Sequence, residues 1–96
     1  MNYQEMSDFE IRRKVGDVLK VNWVQGLHFS FKGGLREFDP CNSWADAGPI
    51  IQESKIGIRE YDGWWEARSY IPEYAYCQKN PLRAAMIVFL MMKGGE

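Results

Sequence analysis

The sequence predicts an α+β domain in which a small antiparallel sheet, including a hairpin over residues 55–70 and a strand over 27–32, packs against N-terminal and C-terminal helices. Three observations predict it. Ser7 and Glu10 form a capping-box pair ahead of a helical apolar stripe. Asp62-Gly63, the preferred pair of a two-residue type I′ turn, joins two strand-like runs. Asn80-Pro81 then opens the longest apolar stretch of the chain, NPLRAAMIVFLMM, with asparagine suited to the cap and proline to the first helical position.

The first helix is expected over residues 8 to 20. Ile11, Val15, Val18 and Leu19 recur at helical spacing, and Met6 before the cap can staple onto Ile11. Gly16 weakens this helix by about 1 kcal/mol relative to alanine. In the next stretch Leu27, Phe29 and Phe31 alternate with His28, Ser30 and Lys32, which predicts a half-buried strand over 27–32 ending at Gly33-Gly34. Residues 21–24 are a candidate partner strand across Gln25-Gly26, and the alternation places His28 on the polar face.

For the middle of the chain two helix starts compete. Asp39-Pro40 offers a cap with a proline behind it, and Ser43 with Asp46 offers a second, capping-box-like start. Trp44, Ala47 and Ile51 would share one face. Pro49 lacks a backbone donor and crowds the preceding turn, so the expectation is a short helix kinked or restarted there.

In the hairpin, a two-residue turn at Asp62-Gly63 sets Arg59 opposite Glu66 and Ile58 opposite Ala67. One face then carries Ile56, Ile58, Trp65 and Ala67 and reads as core. The other carries Arg59, Tyr61, Trp64, Glu66 and Tyr70. The stretch that follows, IPEYAYCQKN, reads as a tyrosine-rich connector between Pro72 and Pro81. The last helix is expected over 81–93 and stops at Gly94-Gly95, with Lys93 near the negative end of its dipole. Its uninterrupted apolar run, Ala84 to Met92, is far short of the roughly 20 residues that span a bilayer, so no membrane role is expected. Leu82, Ala85, Met86, Phe89 and Leu90 form the core stripe, while Ile87, Val88 and Met91 point elsewhere. Such a helix is surrounded either by its own domain or by another chain, and the 81–93 helix is therefore the candidate surface for a homo-oligomer.

Composition bounds the function. Ninety-six residues, 46% hydrophobic and 26% charged, suit a single globular domain over 1–96. Twelve Lys and Arg against thirteen Asp and Glu leave a net charge of −1, without the basic excess of a dedicated duplex binder. Arg12, Arg13 and Lys14 read as a solvated helix face. Two cysteines and one histidine fall short of the four ligands of a structural zinc site, so no metal and no cofactor is expected. The N-terminus lacks the basic start and apolar stretch of a signal peptide, which predicts reduced thiols in a cytosol. Phosphate loops, dinucleotide fingerprints, zincin helices and nucleophile elbows are all missing from the sequence.

One polar cluster remains: Asp39, Cys41, Asn42 and Asp46 with Asn80 and Arg83. Read as a binding site, it holds a carboxylate pair, a cation that steers an anionic ligand, and a thiol. Read structurally, Asp39, Asn42 and Asn80 cap helices, Asp46 pairs with Arg83, and Cys41 is buried filling. The structural reading is favoured, because an activated thiolate needs a base or cation beside it and the lone histidine lies far away in sequence. Trp64, Trp65, Tyr61 and Tyr70 can stack on single-stranded bases, although hairpin pairing and core packing account for such residues more simply.

The segments FDPCNSWADAGPII and NPLRAAMIVFLMM, with MSDFEI near the start, together resemble the NinX family of lambdoid bacteriophage proteins. Residues 21 to 36 and Pro72 to Gln78 carry little of the likeness, and Gly48 stands where a bulkier apolar residue fits the pattern. The resemblance implies a protein made in an infected bacterial cytoplasm and encoded among accessory genes near replication and late-control functions. It brings no catalytic residues. The expectation is a non-enzymatic accessory protein that binds a host or phage protein, with Trp64 and the polar cluster as candidate contacts. A nucleic-acid-associated factor using the aromatic hairpin ranks second, and a small-molecule enzyme built on Asp39, Asp46 and Arg83 last.

Overall fold

The computed structural model describes residues 3–20, 22–24, 27–29 and 38–94, the two short strands by their backbone alone. A 3-10 turn at Tyr3–Glu5 leads into α1, Asp8–Leu19. Its capping box is complete: Glu10 N–H donates to Ser7 Oγ at 3.1 Å, and Ser7 N–H donates to Glu10 Oε1 at 3.0 Å. Lys20, with φ 59°, ends the helix in the left-handed conformation. Ile11 and Val15 are fully buried and Met6 nearly so, but Val18 and Leu19 stay partly in solvent. The predicted stripe is thus core only in its first half.

Asn22–Val24 (β1) and Leu27–Phe29 (β2) pair antiparallel, with Val24 opposite Leu27. Residues 22–24 do form a strand. The pair makes a sheet of its own, so the predicted inclusion of strand 27–32 in the hairpin sheet is corrected: β2 closes locally on its sequence neighbour instead. The Gln25-Gly26 turn, residues 30–32, Gly33-Gly34 and the side chain of His28 lie outside what is described.

Helix α2, Trp44–Ser54, starts from Ser43 as its cap rather than from Asp39. It runs through Pro49 without restarting. Ala45, whose carbonyl loses its partner at Pro49, is exposed, as is Pro49, so water can take the freed acceptor. The helix phase also differs from the expected one. Asp46, Ala47 and Ile50 face inward, Ile51 is half-buried, and Trp44 is exposed.

The main sheet is β3 (Gly57–Tyr61), β4 (Trp64–Tyr70) and β5 (Glu73–Gln78), antiparallel in that order. The hairpin register is the predicted one, with Arg59 opposite Glu66 and Ile58 opposite Ala67, and Asp62 and Gly63 carry the positive φ of the turn. The third strand occupies the stretch read as a connector. In EYAYCQ the exposed Glu73, Ala75 and Cys77 alternate with half-buried Tyr74, Tyr76 and Gln78, a period of two that marks a strand. Ser69, fully buried, ties β4 to β5: its hydroxyl donates to the Pro72 carbonyl at 2.7 Å and accepts from Tyr74 N–H at 3.1 Å.

Helix α3, Pro81–Gly94, lies between the sheet and the other helices, packing on β4 and β5 as well as on α1 and α2. Leu82 and every residue from Ala84 to Leu90 are buried. Ile87 and Val88, which the helical wheel turned away from the core stripe, are fully buried within the same chain. Burial of each large member contributes roughly 1.5–3 kcal/mol. Only Met91 and Met92 at its C-terminal end stay half-buried. No helix among the described residues is long and apolar enough to cross a membrane.

Candidate functional site

The polar cluster around Asn80 assembles as a set of turns and caps. Asn80 Oδ1 accepts from the N–H groups of Leu82 at 2.9 Å and Arg83 at 3.2 Å, which caps α3. Its Nδ2 donates to the Cys41 carbonyl at 2.8 Å, fixing the turn before α2 onto the start of α3. In that turn the Asp39 carbonyl accepts from Asn42 and Ser43 N–H at 3.1 and 2.9 Å, and the Asp39 carboxylate accepts from Asn42 Nδ2. Asp46, buried, accepts Asp39 N–H on Oδ2 at 2.9 Å.

Arg83 does not pair with Asp46. Its Nη1 donates to Asp8 Oδ1 at 2.6 Å, and its Nη2 donates to the carbonyls of Tyr3 and Met6. With its side chain only 12% exposed, this guanidinium is a clamp that holds the N-terminal segment against α3. Its charge is directed at the protein's own backbone, which leaves little to steer an anion. Cys41 is fully buried, and its thiol is pushed up to about 12, chiefly by burial and then by the negative charge of Asp8. Essentially no thiolate exists there at neutral pH, so Cys41 lacks the character of a nucleophile. Among the described residues no three acidic, His or Cys side chains come together in a way that would hold a metal ion.

The geometry is different on the outward face of the main sheet. The strand pairing sets Gly57, Arg59 and Tyr61 of β3 beside Trp64, Glu66, Arg68 and Tyr70 of β4 and Glu73, Ala75 and Cys77 of β5. The opposite face packs on α3. Tyr61, Trp64 and Tyr70 are 49%, 46% and 66% exposed, far more than large aromatics in a core. Between them the charges form a ladder. Arg59 Nε meets Glu66 Oε1 at 3.4 Å, Arg68 Nη2 meets Glu66 Oε2 at 3.2 Å, and Arg68 Nη1 meets Glu73 Oε2 at 2.7 Å. The hydrogen bond that Arg68 donates to Glu66, and then the one it donates to Glu73, raise its pKa further. At the hairpin tip the Lys79 ammonium sits 4.5 Å from the Trp64 ring centre and the Arg59 guanidinium 5.3 Å from that of Tyr61.

Of the residues singled out from sequence, the structure thus joins Asp39, Asn42 and Asp46 in one turn, with Cys41 tied to Asn80. It sends Arg83 to a different partner and places Trp64 on a separate surface. Lys79, Arg68 and Glu73 of that surface were missed. The alternation within EYAYCQ was the signal for Glu73, and Arg68 follows from the alternation of Trp64, Glu66 and Tyr70 on its own strand.

A concavity of about 560 Å³ opens where Val18 and Leu19 of α1, Pro49 and Ile50 of α2 and Phe89 of α3 meet. Its walls are mostly apolar, with Glu53, Ser54 and Lys93 among them, and Asp46, which also lines it, is already engaged with Asp39.

The family described as Bacteriophage P22, NinX matches the chain over residues 2–93. No curated protein matches it.

Proposed function

The chain belongs to the bacteriophage P22 NinX family, and from that premise we propose that it is a phage accessory protein that acts without catalysis, by binding a host or phage protein in the host cytoplasm. The observation that carries this reading is the outward sheet face. Three large aromatics, Tyr61, Trp64 and Tyr70, stand in solvent on one side of a sheet whose other side is core. Exposed apolar residues scattered singly need no explanation, whereas aromatics gathered on one face are what interfaces use. The polar cluster, by contrast, spends its groups on caps and turns.

A nucleic-acid reading has one observation of its own: Arg59 and Lys79 lie over the rings of Tyr61 and Trp64, as cations do on single-strand platforms. Glu66 and Glu73 in the same face neutralise the arginines, which favours protein over phosphate.

The test is recovery of the tagged protein from infected-cell lysate with and without nuclease, beside a variant carrying Trp64→Ser and Tyr70→Ser. A stoichiometric protein that survives nuclease and is lost with the variant supports the reading. Retention of that protein by the variant, or its loss with nuclease, refutes it.

A further inference from the structure

The outward sheet face also restricts what can sit on it. Trp64 and Tyr70 stand on the same strand and the same side, six residues apart. At a strand rise of about 3.3 Å per residue their backbones are about 20 Å apart. The strip between them is Arg59, Glu66, Arg68 and Glu73, two cations and two carboxylates already paired with one another. It carries no net charge.

Across the middle of the strip the register sets Gly57 and Ala75 on either side of Arg68. On the Gly57 side a hollow of about 320 Å³ opens, lined by Gly57, Ile58, Arg59, Glu66, Arg68 and Tyr70. Three strands about 4.8 Å apart and about 20 Å long present a projected area of only about 300 Å². A stable interface between two folded surfaces buries about 800 Å² on each partner. A second copy laid face to face has to reach well beyond these strands, while a single extended strand of peptide matches the track in length and width.

We propose that this face binds one extended, uncharged peptide segment of a partner protein, with two large apolar side chains about six residues apart that seat on Trp64 and Tyr70. The proposal rests on the protein-binding reading above. An even spacing puts both anchors on the same side of an extended peptide. The paired ladder beneath offers the exposed edges of the Glu73 carboxylate and the Arg59 guanidinium to the peptide's N–H and C=O groups. A nucleic-acid strand, with one negative charge per nucleotide, finds one cation beyond the paired ladder, Lys79 beside Trp64.

The test uses the wild-type chain and labelled synthetic peptides on a Ser/Thr/Gln background, one with tryptophans six positions apart and one with tryptophans three apart, in fluorescence anisotropy at low and high salt. An oligo-dT strand serves as the nucleic-acid probe. The expected result is binding of the six-spaced peptide about tenfold tighter than the three-spaced one, nearly unchanged by salt, with Trp64→Ser or Tyr70→Ser each lowering it about tenfold. Equal affinity for the two peptides overturns the proposal, as does absence of binding by either, or preferential binding of oligo-dT that weakens with salt. The spacing comparison does not depend on any variant folding. If spacing has no effect but the lysate partner is still lost with the Trp64/Tyr70 variant, the peptide inference fails and the protein-binding reading stands. Loss of neither overturns both.

Discussion

Replacing Arg83 by methionine keeps most of the aliphatic stem and removes the guanidinium. Three interactions disappear: the ion pair with Asp8 and the hydrogen bonds to the carbonyls of Tyr3 and Met6. Asp8 is 46% exposed and stays hydrated, so the pair contributes no more than about 1 kcal/mol. Hydrogen bonds from a charged donor contribute roughly 1.5–3 kcal/mol each, less where water can reach the freed carbonyl. A total near 3 kcal/mol follows, which in a domain of this size lowers Tm by about 12–24 °C. Urea unfolding followed by tryptophan fluorescence measures it, with Asp8→Asn and the double variant completing a cycle. Asp8→Asn alone is expected to cost under about 1 kcal/mol, and the double variant to lie close to Arg83→Met. A loss below about 0.5 kcal/mol, together with loss of the lysate partner, refutes the clamp and returns Arg83 to recognition.

Four further outcomes are expected. Asn80→Ala loses both the cap and the bond to the Cys41 carbonyl and costs about 2–3 kcal/mol, whereas Asn80→Asp keeps the cap and costs about 1–2 kcal/mol; the reverse order in chemical denaturation contradicts the bridging role. In native protein one thiol, Cys77, reacts with an aromatic disulfide reagent at pH 8, and Cys41 reacts only in denaturant. Because Cys41 is pushed up from 9.0 to about 12 in the fold, its contribution to stability is complete below pH 9 and is lost as pH rises toward 12, at up to about 1.4 kcal/mol per pH unit. Cys41→Ala is expected to flatten the stability profile in that window, and an unchanged slope sinks the argument. Ser69→Ala strands the Tyr74 N–H and the Pro72 carbonyl; the expected cost is about 2–4 kcal/mol, with faster hydrogen exchange at Tyr74.

The features legible in the sequence are those that close over a few residues. Ser7 with Glu10, Asp62-Gly63 and Asn80-Pro81 each specify a cap or turn whose partners lie within one turn of chain, and each sits where the sequence put it. What was not legible depends on distant packing. Arg83 and Asp8 meet only because α1 packs on α3, and no local pattern favours Asp8 over Asp46 as the partner. The phase of α2 is set by a buried aspartate that accepts a backbone N–H seven residues back, which turns Asp46 inward and Trp44 outward against their hydropathies. Strand β5 was hidden by tyrosine itself, whose ring packs inward while its hydroxyl reaches water, so that Tyr74 and Tyr76 blur the alternation around them.

The enclosure of α3 bears on where a partner can act. Among the described residues, Leu82 and Ala84 to Leu90 of this helix are covered within the chain itself, and Met91 and Met92 are half-buried. Covering that helix consumes one face of the sheet and leaves the other in water. Solvation alone would be met by the Arg59–Glu66–Arg68–Glu73 ladder, without aromatics. Trp64 and Tyr61 are opposite each other at the hairpin tip, where a cross-strand aromatic pair contributes up to about 1 kcal/mol to the fold, so their presence has a structural cause. Tyr70 has a weaker one. It is 66% exposed and its ring covers little more than the backbone at Gly57. Tyr70→Ser is therefore the sharper probe of the two anchors: a loss of binding with Tm held within a few degrees cannot come from a loosened hairpin, while a parallel fall in both assigns Tyr70 to the sheet and leaves the binding face without its second anchor.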